Sequence, residues 1–167
     1  MSNQQFPYHD ESTAVVGAPA ERVFAHLDDP KSLSAHMGKS SMMMMGSRMS
    51  IDVDAGGGHA VGSKISMAGS VMGIPISLEE VVCERQPPYK KQWETIGTPK
   101  LIVVEHYRMG FEVTPTGDSS LVRIFIDYSL PTGFVGRCLG RLFGSVYAKW
   151  CTRRMTRDAA DAFQLNL

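Results

Sequence analysis

An acidic side chain on an apolar strand face is the first candidate for chemistry in this sequence. With a period of two, Glu105 shares its face with Val103, Tyr107 and Met109, and Tyr128 is predicted to lie opposite on the next strand. A carboxyl group in apolar surroundings must be paired, hydrogen-bonded or protonated, so it can serve as a general acid or base or orient a polar ligand. Glu105 and Tyr128 are therefore the catalytic candidates. The alternative places Glu105 near the sheet end, where it reaches water or an arginine.

The predicted pairing depends on a four-residue turn between Thr114 and Ser119. It places apolar residues together on the face toward the long helix, because a slip of one residue would mix the faces. The pairs are Phe111 with Val122, Met109 with Ile124, Tyr107 with Ile126 and Glu105 with Tyr128. The other face then holds His106 opposite Asp127 and Arg108 over Phe125. We interpret these two as solvent-facing contacts rather than as a catalytic dyad.

Eleven methionines are the second clue, because methionine is flexible and lines adaptable apolar surfaces. We predict that inward-facing methionines, together with aromatic residues and the candidate polar pair, form the wall of a site for a flat or flexible apolar ligand. The alternative for any single one of these residues is that it only fills the core. The predicted ligand-binding set is Met49, Ile51, Met67, Trp93, Glu105, Tyr107, Met109, Ile124, Ile126, Tyr128, Val146 and Trp150. The run Met42–Met45 cannot all face inward on a strand, so part of it is expected in the preceding loop.

The elements that position these residues predict an α+β fold. Residues 1–11 are polar and are expected to be flexible, and Ser12–Val16 reads as a short strand. Pro19 and Pro30 each begin a short helix. From residue 43 to 130 the period is two, broken by Gly/Pro turns, which predicts six consecutive antiparallel strands. Helical spacing then continues to the C-terminal end, so the order is β-α-α-β6-α, with a curved antiparallel sheet around a long C-terminal helix.

Length and composition predict one domain over residues 1–167, with zero net charge and therefore no global attraction for nucleic acid. Three cysteines without a CxxC pair argue against disulfides, and no signal peptide or membrane span is expected. A cytoplasmic protein is therefore predicted. The sequence has no GxxxxGK[ST], HExxH or GxSxG motif, and its histidines lack metal-ligand spacing, so neither a cofactor nor a metal is predicted.

The last helix carries two patterns. Gly136, Gly140 and Gly144 form a small-residue stripe, which predicts a loosened helix or one that approaches the sheet closely. The helix also has six Arg or Lys residues against two Asp residues, an excess of four positive charges. Such a helix can lie on a membrane surface. A solvated outer face is the interpretation that we favour here.

Three local patterns resemble the SRPBCC superfamily, the START or birch-allergen-like helix-grip proteins, and within it the polyketide cyclase/dehydrase type. They are VVGAPAERVF at 15–24, EVVCERQPP at 80–88, and DYSLP at 127–131 leading into GRLFG at 140–144. The resemblance implies a cavity for an apolar molecule between sheet and helix, with the Met42–Met45 loop near its mouth.

Three functions follow from that resemblance. The first is a carrier or sensor for a small hydrophobic ligand such as a lipid, quinone, polyketide or aromatic. The second is a cyclase/dehydrase-like enzyme in which Glu105 and Tyr128 transfer protons. The third is a protein-interaction module that uses the methionine run or the concave sheet. The expected partner is a small apolar molecule, and a homodimer is left open.

Overall fold

Seven antiparallel strands form one sheet in the order β1-β7-β6-β5-β4-β3-β2 in the computed structural model, which describes residues 5–33 and 48–164. Three helices accompany these strands in the described ranges. The elements are β1 Tyr8–Val16, α1 Ala20–Asp28, α2 Pro30–Leu33, β2 Arg48–Val53, β3 Lys64–Val71, β4 Ile74–Gln86, β5 Lys90–Lys100, β6 Tyr107–Thr116, β7 Ser119–Tyr128 and α3 Phe134–Gln164. The predicted α+β helix-grip order is confirmed. The run Met42–Met45 lies outside the described residues.

The first strand begins earlier than predicted. Residues 8–11 were expected to be flexible, but β1 starts at Tyr8, which pairs with Tyr128. The prediction failed because β1 is an edge strand whose side chains are mostly exposed and polar. Polar side chains of β1 bond to the neighbouring strand, as His9 Nδ1 does at 2.6 Å from Asp127 Oδ1.

The register of β6 and β7 differs from the prediction by two residues. The turn holds only Gly117 and Asp118, and Gly117 has a φ of 68°, which suits glycine. Because side chains alternate with period two, this shift preserves the predicted faces but changes every partner. The observed pairs include Tyr107 with Tyr128, Met109 with Ile126, Phe111 with Ile124 and Val113 with Val122.

The predicted solvent-side contacts are wrong for the same reason. Arg108, not His106, lies opposite Asp127. The Arg108 guanidinium lies 5.1 Å from the centre of the Phe6 ring rather than over Phe125.

The strand that was expected to start at Leu101 begins only at Tyr107. Residues 101–106 form an irregular connection from β5, so Glu105 lies outside β6. Its backbone N–H donates to the Ser129 carbonyl at 2.9 Å. The predicted pairing of Glu105 with Tyr128 is therefore wrong.

The long helix α3 lies against β1 and β7 and also touches α1. Of the two predictions for its glycine stripe, the structure shows a close approach, mainly to the segments that follow β5 and β7. A Cβ built on Gly140 would lie 2.9 Å from the Val103 carbonyl oxygen, and one on Gly144 would lie 3.2 Å from Leu130 Cδ2. Helix α1 completes the core with a buried stripe of Ala20, Val23, Phe24 and Leu27. A gap is left between the second half of α3 and the strands β2 to β6.

Candidate ligand cavity

A largely apolar cavity fills this gap between the sheet, α2 and α3. Strands β2 to β7 supply most of its wall, α2 supplies one residue and α3 supplies three. The lining residues are Pro30, Ile51, Ile65, Met67, Glu80, Lys91, Trp93, Tyr107, Met109, Ile126, Tyr147, Cys151 and Met155. The cavity volume is about 70 Å³, which accommodates a few water-sized groups.

Glu80 is the acidic group of the cavity. It lies on β4 with 4% of its surface exposed, and the Tyr107 hydroxyl on β6 donates a hydrogen bond to its Oε1. Burial raises the pKa of Glu80 to about 7, although Tyr107, the Trp93 indole and Lys91 favour the charged form. The cavity thus contains a carboxyl group that gains or loses its proton near neutral pH.

Burial also raises the pKa of Tyr107 well above its ordinary value, and the neighbouring Glu80 carboxyl adds to this effect. Tyr107 is therefore a neutral hydrogen-bond donor. The pair resembles the arrangement that the sequence assigned to Glu105 and Tyr128, but with different residues.

Lys91 is the second charged group in the cavity wall, but each of its three ammonium protons already has an acceptor within the protein. Its Nζ lies 2.8 Å from Asp28 Oδ1, 2.9 Å from the Asp28 carbonyl and 2.8 Å from the Gly58 carbonyl. Asp28 also accepts from Arg85 Nη2 at 2.8 Å and lies 3.0 Å from His59 Nδ1. The cluster joins the end of α1 to β4, β5 and the β2–β3 connection, so its role is structural.

The pKa values within this cluster agree with ion pairing. Burial opposes ionisation of Asp28, but the bonds from Arg85 and Lys91 outweigh it and hold the pKa of the carboxyl below its usual value. Burial lowers the pKa of Lys91, and Asp28 counteracts this shift.

Tyr147 and Cys151 line the side of the cavity formed by α3. Burial raises the pKa of the Cys151 thiol to about 12. Because the thiolate is the reactive form of cysteine, Cys151 behaves as a small apolar wall residue.

The structure brings half of the predicted ligand-binding set to this cavity. Six predicted residues line it: Ile51, Met67, Trp93, Tyr107, Met109 and Ile126. The side chain of Met49 lies outside the described ones. Ile124 is fully buried in the core, and Tyr128 is buried with its ring stacked 5.4 Å from that of Tyr8.

The other three predicted residues lie elsewhere. Glu105 Oε1 accepts from Thr132 Oγ1 at 3.3 Å, in an exposed contact. Val146 faces outward on α3 with 51% of its surface exposed. Trp150 is half-buried, with its ring 6.2 Å from that of Tyr147.

Glu80 was missed by the sequence reasoning, although the sequence contained a signal for it. The strand alternates, and Ile76, Leu78, Glu80 and Val82 share its buried face. Glu80 was interpreted only as the start of the family pattern at 80–88, although Glu79 and Glu80 are adjacent on a strand and only one of the two can face outward.

Residues 9–164 match the family of polyketide cyclase / dehydrase and lipid transport proteins. The chain belongs to this family. The SRPBCC resemblance and the helix-grip fold are therefore confirmed. The family description joins enzymes with lipid carriers, so membership alone does not choose between catalysis and transport.

Several solved structures share the fold of this family member at low sequence identity. The Zhui aromatase/cyclase from Streptomyces sp. R1128 is 12% identical, with a TM-score of 0.70, covering 94% of this chain and 93% of its own. Norcoclaurine synthase from Thalictrum flavum, in complex with dopamine and hydroxybenzaldehyde, is 15% identical, with a TM-score of 0.66 and coverages of 96% and 88%. No curated protein matches the sequence.

Within the described ranges, no group of three or more His, Cys, Asp or Glu side chains could hold a metal ion. No helix among those same residues is long and apolar enough to cross a membrane.

Proposed function

We propose that this family member binds a small apolar molecule with a carbonyl group, in the cavity between the sheet and α3, as a carrier or sensor. The observation that supports the proposal is the buried Glu80–Tyr107 pair in a largely apolar wall, in which the other charged group, Lys91, is already bonded to Asp28 and Gly58. Apolar burial would supply affinity, and one polar contact would fix the orientation of the ligand.

The protonation state of Glu80 determines what it can recognise. Below a pH of about 7 the carboxyl is neutral. Tyr107 donates to Oε1 and the Trp93 indole also donates to this carboxyl, so in the proposed complex the proton of the neutral acid is the one that a ligand accepts. A ketone or quinone oxygen is an acceptor that suits this donor. A hydrocarbon of the same size offers no partner.

Methionines set how large the ligand can be. The cavity of about 70 Å³ accommodates only a fragment of a ring system without adjustment. Met67, Met109 and Met155 line it, and their unbranched side chains change rotamer more easily than branched ones. A bicyclic ligand would therefore enter by displacing methionine side chains while the β-sheet stays in place.

A second candidate function is proton transfer on such a ligand, in the manner of a cyclase or dehydrase. The observation that favours it is the pKa of Glu80, which lies near neutral pH, where general acid–base catalysis is most effective. Glu80 would then exchange the proton, and Tyr107 would hold its carboxyl in position. This pair takes the role that the sequence analysis gave to Glu105 and Tyr128.

The experiment compares 2-acetylnaphthalene with 2-ethylnaphthalene, two probes of similar size of which only the first has a carbonyl. Trp93 lines the cavity, and the chain has two tryptophans, so Trp150→Phe leaves Trp93 as the single fluorescent reporter. In that background we expect saturable quenching, with tighter binding of the ketone. Because one hydrogen bond contributes about 1 kcal/mol, the preference should be roughly fivefold.

Glu80→Leu should abolish the preference for the ketone while leaving binding of the hydrocarbon. Glu79→Leu is the matched control, because Glu79 is the exposed neighbour on the opposite strand face. Absence of saturable binding of either probe would refute the proposed cavity. A ketone preference that survives in Glu80→Leu would refute the role of Glu80.

A further inference from the structure

The first half of α3 exposes large apolar side chains. Phe134 is 85% exposed, Leu142 is 67% exposed, and Val135, Phe143 and Val146 are each more than half exposed. We call these five residues the outer face of α3. A helix that packs on a sheet normally turns such residues inward, so this reversal requires an explanation.

The glycine stripe accounts for the orientation. Residues two apart on a helix point in nearly opposite directions, because each residue turns the helix by about 100°. Gly140 and Gly144 are buried against the core, so Leu142 and Val146 must point away from it. The large apolar residues are thus on the outside because small ones occupy the inside.

The charged residues in the same region are all basic. Residues 128–157 contain six Arg or Lys residues and no Asp or Glu, while the whole chain has zero net charge. Arg137, Arg141 and Lys149 are exposed and flank the outer face along the helix. These three basic residues lie beside the exposed apolar residues, whereas the other three lie farther along the helix, where Arg154 pairs with Asp158.

We propose that the outer face of α3 binds the surface of an anionic lipid bilayer. An apolar helix face enters the boundary between headgroups and acyl chains, and flanking Arg and Lys side chains bind the phosphates. A second copy of the chain fits less well, because a symmetric contact through this face would bring together two helix segments, residues 134–149, that carry Arg and Lys but no Asp or Glu. The inference does not depend on the occupancy of the cavity.

Vesicle co-sedimentation tests the proposal with phosphatidylcholine alone and with phosphatidylcholine mixed with phosphatidylglycerol. We expect binding to the anionic vesicles only, weakening as salt is added. Leu142→Ser with Val146→Ser should reduce binding at least tenfold. Arg137→Gln with Arg141→Gln should reduce it by a similar factor, because each basic residue near an anionic surface contributes about fivefold. Val61→Ser is the control, since Val61 is equally exposed but lies in the β2–β3 connection.

Thiol labelling identifies which surface makes the contact. Cys138 is exposed on α3 and Cys83 is exposed on β4, so the second serves as an internal reference. Anionic vesicles should slow labelling of Cys138 relative to Cys83.

Three results would overturn the proposal. The first is no binding to anionic vesicles at low salt. The second is binding that the α3 variants leave unchanged or that does not protect Cys138. The third is self-association through α3, seen as a doubled mass that Leu142→Ser with Val146→Ser abolishes, without vesicle binding.

Discussion

Ionisation of Glu80 should make this protein less stable as pH rises through the neutral range. The carboxyl is almost completely buried, and its pKa is raised from 4.5 to about 7 by the loss of water. The folded protein therefore binds this proton more tightly than the unfolded chain does. Between the two pKa values folding takes up a proton, so the free energy of unfolding falls with increasing pH.

The magnitude follows from the size of the pKa shift. A difference of about 2.5 pKa units corresponds to about 3 kcal/mol, since each unit is about 1.4 kcal/mol. The stabilising contribution of the neutral acid is complete below pH 4.5 and is lost as the pH rises to about 7. Above that pH the folded protein carries the full cost of a buried charge.

Glu80→Gln isolates this contribution, because the amide has a similar shape but no proton to lose. We expect the difference in free energy of unfolding, variant minus wild type, to increase by about 3 kcal/mol between pH 4.5 and pH 8. For a chain of this size the gain corresponds to a relative rise in Tm of roughly 10 °C. Urea unfolding at a series of pH values measures it, and Glu79→Gln is the control on the exposed face.

Other titrating groups are common to both proteins, so their effects cancel in the comparison. If the difference in free energy of unfolding between wild type and Glu80→Gln stayed constant with pH, Glu80 would ionise without a cost in stability. If the stability of the variant relative to the wild type fell with increasing pH, the folded protein would stabilise the charged form of Glu80. Either result would refute the reasoning that places a neutral acid in the cavity.

Two further predictions concern the packing around the cavity. Gly140→Ala should lower the stability by about 2 kcal/mol, since its Cβ would lie 2.9 Å from the Val103 carbonyl oxygen. Gly133→Ala is the control, because a Cβ there would meet nothing within 4 Å. Equal Tm values of the two variants in thermal unfolding would show that the close approach is unimportant. Lys91→Met should cost about 2 to 3 kcal/mol, because two buried carbonyl oxygens lose this donor, while the Asp28 carboxylate keeps its bonds from Arg85. Urea unfolding measures this loss, and a change below about 1 kcal/mol would contradict the assigned role.

The fold was predictable from the sequence because its signals are local. Alternation, Gly/Pro turns and the final helical period each act over a few residues, and together they predicted the element order correctly. The strand at residues 8–11 was not predicted, because an edge strand with polar side chains shows no alternation of apolar residues. The pairing of such a strand is decided by its neighbour, in this case β7.

The site was less predictable because it depends on register and on strand ends. An error of two residues in the β6–β7 turn left every face correct, which is why Tyr107, Met109 and Ile126 line the cavity as expected. The same error placed Glu105 opposite Tyr128. The end of β5 and the start of β6 are set by tertiary packing, which removed Glu105 from the strand altogether.

Glu80 and Lys91 are both buried in the cavity wall, but they differ in what they contribute to the stability of the fold. Every proton of Lys91 has an acceptor, and removing the lysine would take one partner from the Asp28 carboxylate and the donor from two carbonyl oxygens, so stability accounts for this lysine. Glu80 is different, since above neutral pH it destabilises the protein and a neutral amide of the same shape should improve it. A residue that lowers stability in this way needs another explanation. Its position in the cavity wall beside Tyr107 supports a functional one.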